Sequence, residues 1–206
     1  GTTIVKTGAG TLVLPATGNS AAFKNLVAEG GVVRLAAESN LGSGNVTLKN
    51  GARLEFSANV SFASRRVIVE GAGGFVVPEK VVVTTPSNCF RTANATFTKF
   101  GAGELVFSGS QMFVAPDVGA NARFVAEEGT LTFPQDPFGG HTTKPSQVLE
   151  IHEDATVVSM AHVPLGRLIM RGGVFRHSAG NMMDKSYTGR VEDRIYKWRA
   201  ISFNET

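Results

Sequence analysis

Short runs of alternating apolar and polar residues recur along most of the chain. Val46 and Leu48 alternate with polar neighbours, and Leu54 and Phe56 do so again after an intervening turn. Because successive side chains of a β-strand point to opposite faces, this period of two predicts strands with one buried face. Helical periodicity is absent through residue 180. The pattern therefore predicts an all-β chain.

The strands are grouped into units that consist of an apolar strand, a turn of small residues and a second strand. Three consecutive units start at Leu26, Val46 and Val67, about 20 residues apart, which is the length of one coil of a solenoid and too short for a βαβ unit. We therefore predict a right-handed, single-stranded parallel β-helix, that is, a β-solenoid. The side chains expected to point inward are Ile4, Leu12, Leu26, Leu35, Leu48, Leu54, Val69, Phe75, Phe97, Leu105, Phe124, Leu131, Ile151 and Met170.

An antiparallel β-sandwich is the alternative architecture, because Asn50-Gly51 is a strong hairpin signal. The charged residues that precede the turns favour the solenoid. In chain order they are Lys6, Glu29, Lys49, Glu70, Lys99 and Glu127, followed by Glu153 and Arg171. The first six alternate in sign, and stacked coils would place them about 5 Å apart in an attractive ladder. Unrelated hairpins have no reason to alternate in this way.

One unit is repeated almost residue for residue. Lys6–Leu14 reads KTGAGTLVL and Lys99–Phe107 reads KFGAGELVF, and each is followed by a second glycine-centred strand, at Val27–Leu35 and Val125–Phe133. These strand pairs resemble the autotransporter-associated β-strand repeat of large bacterial surface and secreted proteins. The resemblance implies a β-helix, an extracellular or cell-surface location and no catalytic residues.

The unit pattern places the solenoid at residues 1–180, and residues 181–206 are expected to form a C-terminal cap or the start of a following domain. Three stretches interrupt the pattern and are expected to be insertions, namely Pro78–Asn94, Gly109–Asn121 and Pro134–Gln147. The chain opens within a unit, which favours its being a piece of a larger precursor. We therefore expect other segments of that precursor, or other copies of the chain, as partners.

The amino-acid composition argues against several classes of function. Glycine accounts for 24 of 206 residues, above the usual share, and fits a chain with many turns. The net charge is +3 with both signs interspersed, which argues against a nucleic-acid partner. No apolar run is long enough to predict a transmembrane segment. Cys89 is the single cysteine, so neither an intrachain disulfide nor a cysteine metal site is expected, and no cofactor is implied.

Few residues are candidates for ligand binding. Asp136 and His141 lie in the third interruption and could serve a carbohydrate or metal site, although one of each does not make such a site. Tyr196 and Trp198 lie in an aromatic C-terminal segment. They are expected to cover the last coil, and a ligand platform is the alternative.

Catalysis would need further groups. A glycosidase uses two carboxylates about 5–10 Å apart, and the candidates are Glu127 or Glu128 with Glu153 or Asp154. We expect these four to be turn residues.

The sequence thus predicts a structural or adhesive extracellular scaffold that is not an enzyme, with surface glycans or a host surface as further possible partners. The alternative is a carbohydrate-binding or carbohydrate-cleaving β-helix, such as a polysaccharide lyase or a phage tailspike. The spacing of carboxylates and basic groups on the outer faces distinguishes the two.

Overall fold

The computed structural model describes residues 1–14, 22–87, 89–91, 94–109, 122–135, 148–160, 163, 167–177 and 203–204. Within them the chain is a β-solenoid of parallel strands, with one short 3-10 helix at Glu38–Leu41 and no α-helix. The strands are β1 (Thr3–Lys6), β2 (Thr11–Val13), β3 (Asn25–Ala28), β4 (Val32–Leu35), β5 (Val46–Lys49), β6 (Ala52–Phe56), β7 (Val60–Ser61), β8 (Val67–Glu70), β9 (Ala72–Val76), β10 (Val82–Thr85), β11 (Phe90–Arg91), β12 (Thr96–Phe100), β13 (Glu104–Phe107), β14 (Arg123–Phe133), β15 (Val148–Ser159), β16 (Arg167–Arg171), β17 (Val174–His177) and β18 (Phe203–Asn204).

The strands form three ladders, which we call faces 1, 2 and 3. Face 1 runs β1-β3-β5-β8-β11, and face 2 runs β2-β4-β6-β9-β12-β14-β15-β16-β18. Face 3 joins β7, β10, β13, the second halves of β14 and β15, and β17. The long strands β14 and β15 belong to both faces 2 and 3.

Every ladder between these strands is parallel, so the solenoid prediction is confirmed and the antiparallel sandwich is wrong. The Asn50-Gly51 pair does make a tight turn, with φ of 51° and 78°. It joins β5 on face 1 to β6 on face 2 and does not close a hairpin. One isolated antiparallel bridge, between His152 and Gly172, occurs outside the ladders of the described chain.

The core lies inside the coils and is made of the inward residues of each strand. Leu48 and Leu54 have no exposed surface, and Ile4, Leu12 and Met170 are partly buried against the same cluster. All of the predicted inward positions belong to this cluster or pack on it, so the period-two prediction is confirmed.

Phenylalanines form a continuous column through the middle coils. The ring centroids of Phe75 lie 4.9 Å from those of Phe56 and 5.2 Å from those of Phe97. Phe107 then continues the column to Phe133 at 5.5 Å. Such tilted and edge-to-face pairs add about 0.5–1.5 kcal/mol each beyond the burial of their surface. The column therefore ties together coils that are distant in sequence.

Pro78–Asn94 is not an insertion, contrary to the sequence prediction. This stretch contains β10, which pairs with β7 and β13 on face 3, and β11, which pairs with β8 on face 1. β10 does not alternate, because its outward Val82 is apolar and its inward Thr85 is polar, and β11 has only two residues. The alternating pattern therefore did not predict these strands. Residues 110–121 and 136–147, which make up most of the other two interruptions, lie outside the described chain.

The two copies of the repeated unit occupy different corners of the solenoid. The first copy spans the corner between faces 1 and 2, through β1 and β2. The second spans the corner between faces 2 and 3, because β12 pairs with β9 and β13 pairs with β10. An alternating apolar strand fits any face that borders the core, so the motif does not specify which corner it occupies.

The predicted charge ladder is confirmed for Lys49 and Glu70 and is wrong for Lys6 and Lys99. Lys49 Nζ lies 3.0 Å from Glu70 Oε2 on the next coil. Lys6 and Lys99 instead point inward and are buried, so they do not join an exposed ladder. The structure does not test the domain boundary at residue 180, which stays a prediction. Among the described residues, β18 pairs with β16 and adds a strand beyond the last coil of face 2.

Candidate functional site

Charged side chains converge at one place on the outer side of face 2. We call Arg123, Glu127, Glu150, His152 and Arg171 the Glu150 cluster. They come from three adjacent strands, β14, β15 and β16.

The parallel register explains why these residues meet. Glu150 pairs with Val125 on one side and with Ile169 on the other. Arg123 lies two residues before Val125, and Arg171 lies two residues after Ile169. Both arginines are therefore diagonal neighbours of Glu150 on the same face, within reach of long side chains.

The Glu150 carboxylate is the centre of the cluster. It accepts hydrogen bonds from Arg123 Nη2 and from Arg171 Nε, and its Oε1 lies 2.9 Å from His152 Nε2. The other ring nitrogen, His152 Nδ1, lies 3.2 Å from Glu127 Oε2. One imidazole thus contacts two carboxylates, and one carboxylate contacts two guanidinium groups.

Glu150 is buried although it is on the outer side of its strand. Its side chain is 4% exposed, whereas those of Arg123 and Arg171 are 41% and 49% exposed. Val125 and Ile169, its apolar register partners, are also buried and lie outside the main core cluster. A carboxylate in such surroundings stays charged when it is paired and hydrogen-bonded. The two arginines supply that compensation.

The sequence analysis located the acidic residues of this region only in part. Glu127 belongs to the cluster, where its carboxylate and that of Glu150 contact the same imidazole of His152. Glu128 and Asp154 are register partners and are exposed. The expectation that the four acidic residues lie in turns is wrong, because they lie within β14 and β15, which continue from face 2 to face 3.

Glu150, His152, Arg123 and Arg171 were not predicted as site residues. The available signal was the occurrence of charged residues and a histidine at outward positions of three consecutive strands. The sequence shows those charges, but it does not give the register that brings them together.

The four residues predicted to bind ligands lie outside the described residues. These are Asp136 and His141 in the third interruption and Tyr196 and Trp198 in the C-terminal segment. Their roles stay predictions.

Arg65 is a second charged group held away from solvent. Its guanidinium donates to the carbonyl oxygen of Leu41, the last residue of the 3-10 helix, and to those of Gly42 and Gly44 in the loop that follows. Its Nε lies 3.5 Å from Glu38 Oε1. Burial lowers the pKa of Arg65, and the Glu38 carboxylate partly offsets this effect. The side chain thus ties the 41–44 loop to the following coil.

Cys89 is 1% exposed, and burial raises the pKa of its thiol far above the ordinary value. A reactive cysteine needs an accessible thiolate, so Cys89 is suited to packing in the core rather than to acting as a nucleophile. Within the described ranges, no group of three or more histidine, cysteine, aspartate or glutamate side chains is arranged to hold a metal ion.

No helix in the described part of the chain is long and apolar enough to span a membrane. Comparisons with protein-family models, with curated proteins and with solved structures gave no match to this chain.

Proposed function

We propose that this chain is a structural or adhesive scaffold, a stalk segment of a larger extracellular or cell-surface protein with no chemistry of its own. The observation that supports it best is that outward charges pair between successive coils. Arg34 Nε lies 3.0 Å from Glu55 Oε1, and Lys49 pairs with Glu70 over the same distance. These outward charges thus pair with one another across successive coils, as expected of side chains that stabilise a scaffold.

The aromatic contacts of the outer surface fit the same proposal. The Arg53 guanidinium lies 3.8 Å from the centroid of the Phe100 ring on face 2. Arg53 comes from β6 and Phe100 from β12, with β9 between them. This cation–π contact therefore spans two coil steps and covers an outward aromatic ring.

The extracellular location and the partners rest on the resemblance to the autotransporter-associated repeat. The expected partners are other segments of the same precursor, other copies of the chain, and surface glycans or a host surface. A solenoid suits this role because each coil stabilises its neighbours, so the length can grow without a larger core.

The proposal is tested by measuring both turnover and attachment. Purified chain is incubated with a panel of neutral and acidic polysaccharides, and new reducing ends and unsaturated sugar products are followed. We expect no turnover. Beads coated with the chain are tested in parallel for attachment to a glycan array. Attachment without turnover is the result expected of an adhesive scaffold, and neither signal is the result expected of a stalk. Turnover would contradict both.

The alternative is a carbohydrate-cleaving β-helix, and one observation favours it. Glu127 and Glu150 both contact the imidazole of His152, which places two carboxylates within the range of separations that glycosidases use. The pairing of Glu150 with two arginines argues against its acting as a nucleophile, because its lone pairs already accept hydrogen bonds.

Glu150→Gln tests this alternative directly, with Glu153→Gln as the matched control at an exposed position of the same strand, β15. If any polysaccharide is cleaved, the alternative requires that Glu150→Gln abolish the cleavage and that Glu153→Gln retain it. Cleavage that both variants retain would exclude the Glu150 cluster as the catalytic site.

A further inference from the structure

Both copies of the repeated motif bury their lysine. Lys99 has no exposed surface and Lys6 is 8% exposed. Each occupies an inward position of its strand, where the neighbouring coils place apolar side chains. A buried ammonium must be compensated by hydrogen bonds or charges, so the partners of these two groups determine what the lysines do.

Each ammonium is held by backbone carbonyl oxygens from two successive coils. Lys99 Nζ donates to Gly101 O, to Gly103 O at 2.6 Å and to Glu128 O at 2.6 Å. Two of these oxygens belong to the turn of its own coil, and the third belongs to the turn of the next coil. Three donors meet three acceptors, which satisfies the ammonium completely.

The first copy repeats this arrangement. Lys6 Nζ donates to Thr7 O at 3.0 Å, to Gly8 O, and to Gly30 O at 2.9 Å. Again two acceptors come from its own turn and one from the next coil. The two sites are alike although they occupy different corners of the solenoid.

The next coil is shaped to accept the lysine in both places. The register partner of Lys6 is Ala28, and that of Lys99 is Ala126. A methyl side chain leaves room for the lysine to turn from the core toward the carbonyl oxygens.

A glycine completes the fit three residues after each alanine. Gly31 and Gly129 have φ of 67° and 66°, and a Cβ at either would lie within 2.6 Å of the lysine Nζ. A side chain at these positions would displace the ammonium. Lysine, alanine and glycine thus form one unit that spans two coils.

We propose that the repeated motif encodes an ammonium-binding site shared by two coils, in which the chain's own lysine is the resident ligand and fixes the register of one coil on the next. The site takes primary ammonium groups, because its three carbonyl oxygens match the three N–H donors of one such group. This inference does not depend on the proposed scaffold function, since it concerns how coils are joined whatever they bind.

Chemical rescue tests the site. Lys99→Ala removes the atoms that n-propylammonium would replace, so the unfolding temperature should fall by about 5–10 °C and should rise again with increasing n-propylammonium. Tetramethylammonium at the same ionic strength should have no such effect, because it carries no N–H donor. Lys49→Ala, at an exposed ion pair, is the matched control and should show no rescue.

Rescue by n-propylammonium is also measured with Lys6→Ala, at the less buried site. The outcome therefore does not depend on whether Lys99→Ala folds. Lys99→Met gives a further measurement, because it keeps most of the side-chain volume and lacks the donors. We expect it to unfold at a lower temperature than the parent chain. Equal stability of Lys99→Met, or equal shifts with both ammonium compounds in the alanine variants, would overturn the proposal.

Discussion

Lys49 and Lys99 are in opposite electrostatic environments. Lys49 is near the surface, where its hydrogen bond to Glu70, together with the charge of that carboxylate, raises its pKa. Lys99 is in the core, where burial lowers its pKa to about 8, against the opposing influence of Glu128 and Glu104. The effect of burial on Lys99 therefore outweighs that of these two carboxylates. The two residues should affect stability with opposite dependence on pH.

Between pH 8 and 10.5 the unfolded chain keeps the Lys99 proton and the native chain does not. Unfolding then binds a proton, so the stability contributed by Lys99 rises with pH across this window. We expect the free energy of unfolding of the parent chain to increase relative to that of Lys99→Met between pH 7.5 and 9.5, measured by urea denaturation. The free energy of unfolding of the parent chain relative to that of Lys49→Met should stay constant over this pH range. It should fall only above the ordinary lysine pKa, because the pKa of Lys49 is raised. An advantage over Lys99→Met that falls with pH would contradict the assignment.

A substitution at Leu54 tests whether the side chains assigned to the inner side of face 2 point into the core. Its side chain has no exposed surface, so Leu54→Asp would bury an unpaired carboxylate. We expect a loss of about 3–5 kcal/mol in the free energy of unfolding. Val13→Asp makes the same chemical change at an outward side chain that is 59% exposed, and it should cost less than about 1 kcal/mol. Equal losses in the two variants would show that the faces of these strands are wrongly assigned.

At the scale of elements, the Glu150 cluster joins β14, β15 and β16 through one buried carboxylate. Glu150→Gln removes the charge that compensates Arg123 and Arg171. Because both arginines are partly solvated, we expect a moderate loss of about 1–3 kcal/mol in the free energy of unfolding. Glu153→Gln, at an exposed position of β15, should change it by less than about 0.5 kcal/mol. Chemical denaturation measures the free energy of unfolding of both variants. If Glu150→Gln leaves that free energy unchanged, the cluster does not hold these strands together.

In several turns between elements, a cationic side chain donates hydrogen bonds to backbone carbonyl oxygens. Lys6, Lys99 and Arg65 each donate to carbonyl groups of a loop or turn. The carbonyl groups of a tight turn have few partners in the ladders, and leaving them unpaired in the interior would be costly. Three loops or turns of the described chain are thus closed by cationic side chains, of which Lys6 and Lys99 come from the adjoining strands.

At the scale of the whole molecule, each coil is stabilised by the coils above and below it. Hydrogen exchange should therefore follow the burial of successive coils. The Arg53 amide bonds to Gly31 O at 3.0 Å, and the Val32 amide bonds to Gly10 O at 3.2 Å, one coil earlier. Val13 and Thr11 on β2 are exposed, whereas the inward side chains of β6 are fully buried. We expect the Arg53 amide to exchange more slowly than the Val32 amide, and the reverse order would contradict a stack of mutually supporting coils.

Several features of this protein follow from the sequence alone. Alternation such as that of Val46 and Leu48 predicts the inward residues, because a strand places successive side chains on opposite faces. The spacing of about 20 residues between units predicts parallel stacking, because it matches one coil. The turn at Asn50-Gly51 was also predictable, since these residues tolerate positive φ, although its role as a corner was not.

Other features were decided only by the tertiary structure. Which corner a motif occupies depends on how many residues earlier coils use. β10 and β11 lack the alternation of apolar and polar residues by which the other strands are recognised. Lys6 and Lys99 looked like members of a surface ladder, because the sequence shows a charge but not the carbonyl oxygens that bury it. Glu150 joined Arg123 and Arg171 through a register of three strands. Contacts between coils depend on that register, and the alternating pattern within a single strand does not specify it.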